Sequence, residues 1–131
     1  MKKWLLIFLA VGTAQAACPA HPGYILNGQV KQLSGLQVIC GQAFAAYKKG
    51  FDGSSNVKWT ELYAVNNSAD PTELARKLNV VFNNLGFTQI QNKAPSTTEH
   101  IFGYMNAPTR KIISMSMFVS GSLVLVSFTG N

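Results

Sequence analysis

Between residues 111 and 129 the hydrophobic side chains fall on every second position, a period that fits an antiparallel hairpin with one covered face. Gly121-Ser122 separates the two runs, with glycine first, as a type II′ turn requires. That turn fixes the register. It sets Val119 opposite Val124, Met117 opposite Val126 and Met115 opposite Phe128, an unbroken apolar face, while Ser114, Ser116, Ser120 and Ser127 largely occupy the other.

An apolar sheet face needs a cover, and the chain supplies one just upstream. Asp70 can cap a helix, Pro71 suits its first position and Glu73 completes a D-x-x-E box. Leu74, Leu78, Val81, Phe82 and Leu85 then form one stripe, which Gly86 ends. Two further strands, 87–91 and 98–106, lie between this helix and the hairpin. They are separated by a loop holding Pro95 and followed by the turn Ala107-Pro108-Thr109.

The first half of the chain is less regular. Val57, Trp59, Glu61, Tyr63 and Val65 alternate with Lys58, Thr60, Leu62 and Ala64, which predicts a strand over 57–66. Leu36, Ile39, Cys40, Ala43, Phe44 and Tyr47 share one helical face, so a helix is expected over 35–49. Gly41 inside it costs about 1 kcal/mol relative to alanine, and an alternating strand from Leu36 to Phe44 competes. Residues 17–33 form an arm rich in turn formers, with a short hairpin about Asn27-Gly28 as one reading. The expected fold is α+β: two helices packed on one face of an antiparallel sheet of about five strands, ending in a meander.

The chain also carries an address. Lys2 and Lys3 precede an apolar run from Trp4 to Val11, and Ala14-Gln15-Ala16 follows as a cleavage site, so residues 1–16 read as a secretory signal peptide. The run is about half the 20 or so apolar residues a stable span needs. The competing reading makes Cys18 the acylated first residue of a lipoprotein, the one route by which a membrane would enter. Gln15 counts against it, standing where such signals carry an aliphatic residue.

Export settles how the cysteines are read. Residues 17–131 then form a single domain, secreted or periplasmic, in which an even pair, Cys18 and Cys40, is expected to be a disulfide. A metal alternative, Cys18-Pro19-Ala20-His21 with Cys40, lacks the paired spacing of a zinc site.

Nine basic and five acidic residues remain after residue 16, scattered along the chain. That excludes the concentrated basic stripe of a specific nucleic-acid binder and leaves room only for weak contact with anionic polymers.

No G-x-S-x-G, H-E-x-x-H, phosphate-loop or dinucleotide pattern is present, and no cofactor is expected. The sequence therefore points to a small exported, non-catalytic binding or accessory protein, with a protein or a small ligand of the envelope as partner. Its candidate surface is Trp59, Tyr63, His100, Phe102, Tyr104 and Arg110, since tryptophan, tyrosine and arginine dominate interaction sites. Two alternatives name other residues. A small hydrolase would use Glu61, Glu99 and His100, and a copper carrier Met105, Met115, Met117 and His100.

Overall fold

The computed structural model describes residues 18–66 and 70–131, so the signal-peptide reading of residues 1–16 lies outside the described residues. A two-residue hairpin, β1 (Tyr24–Ile25) and β2 (Val30–Lys31), opens the fold. Then come β3 (Gln37–Val38), α1 (Gln42–Lys49), β4 (Trp59–Asn66), α2 (Pro71–Asn84), β5 (Thr88–Lys93), β6 (Glu99–Asn106), β7 (Lys111–Ser120) and β8 (Leu123–Gly130). The main sheet is antiparallel in the order β3-β4-β8-β7-β6-β5, six strands where about five were expected. The α+β class and the C-terminal meander stand as read from the sequence.

The last hairpin has the register its turn dictates. Val119 pairs with Val124, Met117 with Val126 and Met115 with Phe128, and Gly121 takes the positive φ of 58° that such a turn demands. Continued across the sheet, these pairs place Tyr63, Val126, Met117 and His100 in one row. Glu61, Phe128, Met115 and Phe102 form the next. This face is the core, and it is closed by Leu78 and Phe82 of α2 and by Ile25 and Leu26 of the arm, all fully buried.

Helix α2 starts and stops where its sequence says. The Asp70 carboxylate accepts from the Thr72 N–H at 2.9 Å, with Pro71 in the first turn. Glu73 does not close the expected box; its carboxylate pairs with Arg76 one turn on, both exposed, and Arg76 holds it below the usual carboxylate range. At the other end Gly86 (φ 85°) lets its own N–H reach Asn83 O and the Phe87 N–H reach Phe82 O. Phe87 then meets Phe82 edge-on at 6.0 Å, the apolar contact that completes this type of helix end.

The other helix departs from expectation at its start and in its placement. Residues 37–38 pair with Ala64 and Tyr63 as an edge strand, the Ile39 N–H continues to Leu62 O, and only then does the helix begin. Gly41 is the reason: its φ of 77° breaks the helical path there. The shortened α1 lies on the second face of the sheet. Its Tyr47 hydroxyl lies beside Ser127, a residue registered opposite Leu62 on the side away from Phe128. There α1 buries Phe44, and β4 becomes a strand covered on both sides.

The arm is held at two points. Cys18 and Cys40 form the expected disulfide, with Cα atoms 4.5 Å apart. Opening a loop of this length is expected to lower stability by roughly 3 kcal/mol on the chain-entropy account. Urea denaturation of the oxidised protein and of a Cys18→Ser, Cys40→Ser variant measures it; coincident midpoints would remove the disulfide from any stabilising role.

The second point is Glu61. Both its oxygens accept backbone N–H groups of the arm, from Leu26 and Asn27, each at 2.8 Å. Those two residues take positive φ values of 56° and 58°, and Leu26 is a non-glycine residue buried in that conformation. The carboxylate and the burial of the Leu26 side chain together hold this turn.

Candidate functional site

A helix about 10 Å across cannot cover a six-stranded sheet roughly 24 Å wide. On one flank of α2 the arm fills the difference. On the other, the core face of β6, β7 and β8 is left open beneath the first turn of the helix, as a cleft of about 840 Å³.

Its floor is apolar: Phe102 on β6, Met117 and Val119 on β7, and Val124 on β8. Pro71, Thr72 and Ala75 form the helical wall, and the small side chain of Ala75 keeps the wall recessed. The 94–98 loop makes the rim. There Ser96 and Thr98 share a hydroxyl–hydroxyl bond of 3.1 Å, and the Val119 N–H donates to Thr98 O at 2.8 Å, tying the loop back to β7.

His100 is the polar group best placed at the floor. Its ring stacks on Phe102 with centroids 4.3 Å apart, its neighbour across the strand pair is Met117, and its Nε2 is hydrogen-bonded to Asn92 Oδ1. The imidazole is thus oriented by a ring below and an amide at the side. The volume and the apolar lining with few polar groups match a small-molecule site.

The six residues of the expected surface do not form one. Tyr63 and Tyr104 are buried at 1% and 0% exposure, which corrects their reading as an exposed contact surface. Each has its hydroxyl inside the fold: Tyr63 donates to Tyr24 O, and Tyr104 donates to Asn79 Oδ1 and accepts from Gln89 Nε2. Burial raises both phenols above their ordinary value, for Tyr63 with help from the negative charge of Glu61. Trp59 packs closely against Gly130, at the opposite end of the sheet, and Arg110 is exposed in the β6–β7 turn with a positive φ of 58°. Only His100 and Phe102 reach the cleft.

The catalytic alternative loses its geometry. Glu61 lies in the row that runs through Phe128 and Met115 to Phe102, three strand spacings of roughly 4.8 Å from β6. Glu99, registered opposite Phe118 at the start of β6, lines the cleft beside His100. Glu61 therefore does not converge with Glu99 and His100, and the proposed trio is not assembled.

The thioethers are divided too: Met115 and Met117 are core residues, while Met105 is registered opposite Ile112 on the far side. Among the described residues no group of three or more His, Cys, Asp or Glu side chains gathers as a metal site. Nor is any helix among them long and apolar enough to cross a membrane.

What sequence reasoning missed at the cleft is Asn92, Ala75 and Val124, whose residue types read as wet surface or core. Comparison with protein-family models, curated proteins and solved structures finds no match to this chain.

Proposed function

We propose that this domain is an exported, non-catalytic binding protein whose cleft takes a small, largely apolar ligand with one hydrogen-bonding end. The observation that carries the reading is the uncovered core face itself, Phe102, Met117, Val119 and Val124 under the first turn of α2, with His100 and the 94–98 loop at its edge. The apolar body would lie on that floor and its polar end would meet His100, Asn92 or the Ser96 and Thr98 hydroxyls. The disulfide fits an oxidising compartment outside the cytoplasm. Cleavage after Ala16 and release into the periplasm or the medium belong to the same proposal.

Filling the cleft tests it. Ala75→Trp places an indole where the ligand would lie, and because Ala75 is half-buried against the core, an unchanged urea midpoint is required before its ligand retention is read. An extract of apolar small molecules from the producing cell envelope, equilibrated with the exported protein and analysed by mass spectrometry, is expected to yield a retained species. The Ala75→Trp protein is expected to lose it by at least tenfold, which is about 1.4 kcal/mol. Equal retention by both proteins, or retention of nothing, would sink the reading.

A further inference from the structure

A second and smaller pocket, about 240 Å³, lies at the other end of α2, where polar groups share the lining with Leu85, Phe87, Ile112 and Ile113. Four carboxamides line it: Asn27 and Gln29 from the arm, Asn106 from the end of β6, and Asn131. Trp59 and Lys111 join them, and no acidic side chain is present in the lining.

The amides are arranged in advance. Asn131 accepts from the Ile112 N–H at 2.8 Å through its oxygen and donates one N–H to Arg110 O, leaving the second N–H. Asn106 is fixed the same way, accepting from Thr109 and donating to Leu85 O. Gln29 donates to Leu26 O and keeps its own oxygen, while Asn27 engages His21 through its oxygen and keeps its amino group. Trp59 is seated on Gly130 so closely that a side chain there would collide with the indole, and the indole N–H has no partner among the described residues.

The geometry points to a saccharide site, in which one pyranose ring of a glycan is held by the carboxamides and rests against Trp59. The spare N–H groups of Asn27, Asn106 and Asn131 can give to ring hydroxyl oxygens and the spare Gln29 oxygen can take from a ring hydroxyl, a mixed set that suits groups which both give and take a hydrogen bond. A sugar's C–H face is apolar and suits an indole wall. Groups already fixed by backbone bonds lose little freedom when a ligand arrives. The pocket is below the roughly 300 Å³ at which drug-sized sites begin, which suits a single ring better than a larger ligand. Lys111 at the edge offers a contact for a uronate carboxylate, while the neutral amides ask for hydroxyls alone.

The site is independent of the cleft and stands or falls without it. The exported, oxidised protein is titrated with maltohexaose, chitohexaose and oligogalacturonate while side-chain amide and indole N–H resonances are followed by NMR. At least one glycan is expected to give saturable shifts at Asn27, Gln29, Asn106, Asn131 and Trp59. A response to oligogalacturonate alone, weakening with salt, identifies the uronate as the recognised unit; a response to a neutral glycan identifies the hydroxyls. Gln29→Ala and Asn131→Ala, both at the surface, are each expected to weaken binding by roughly tenfold, or about 1.4 kcal/mol. The assignment is overturned by the absence of saturable shifts with all three glycans, by shifts that gather at the cleft instead, or by unchanged affinity in both variants.

Discussion

Glu61→Ala is expected to cost about 4 kcal/mol, because it strips the acceptor from two arm N–H groups at once and each such loss in a dry site costs roughly 1–3 kcal/mol. The melting temperature should fall on the order of 15 °C in a domain of this size. Glu61 is 2% exposed, and its two bonds to Leu26 and Asn27 are also what hold those residues in the left-handed region. Glu61→Gln keeps one acceptor oxygen, so its loss should be about half as large. A Glu61→Ala protein within about 1 kcal/mol of the parent would mean that the arm is held by its apolar side chains and the disulfide alone.

The same residue makes stability depend on pH, with a definite sign. Burial is the largest influence on Glu61 and raises its carboxyl above the ordinary 4.5, while the Asn27 and Leu26 N–H groups, the Tyr63 hydroxyl and the nearby His21 pull it partly back. The folded protein therefore holds this proton more tightly than the unfolded chain does. This group's contribution is fully present below 4.5 and is lost as pH rises through the elevated folded value. Denaturation midpoints of the parent should fall over that window relative to those of Glu61→Gln. Parallel pH profiles for the two proteins would reject the assignment.

How much of this was legible follows from where the information sits. The period change after Gly86 gave the meander, because alternation and turn chemistry are local, and the Gly121 register then placed every residue of β7 and β8. Helix α2 was legible at both ends because its stop and start signals are side chains or glycines. The start of α1 was not, since a helical spacing over residues 36–47 is satisfied on paper whether or not Gly41 adopts positive φ.

The role of Glu61 was hidden for a different reason. Its partners are backbone N–H groups, which every residue but proline carries and no residue type announces. Tyr63 and Tyr104 were misread because alternation tells which residues share a face, but not which part of that face a helix will cover. The cleft is the converse case: Met117 and Val124 belong to the core row by pattern and line a ligand-sized space only because one helix is narrower than the sheet.

That single cover makes Phe82→Ala the most damaging apolar change expected, at about 4 kcal/mol. Phe82 has no exposed surface, stacks on Tyr104 with centroids 3.8 Å apart, and meets Phe87 and Phe128 edge-on at 6.0 and 6.3 Å. It is at once the anchor of α2 on the sheet and the residue whose carbonyl takes the Phe87 N–H at the helix end. Truncation leaves a ring-sized void whose walls cannot all close, since Tyr104 is pinned through its hydroxyl to Asn79 and Gln89. Phe82→Leu, which fills much of the space, should recover most of the loss. Of that loss about 1 kcal/mol belongs to the ring pair with Tyr104, so a double-mutant cycle with Tyr104→Leu should return a coupling of that size. Urea denaturation of the four proteins in the cycle reads it directly. Strict additivity would show that the two rings contribute only buried area, and that α2 is seated by shape rather than by this stack.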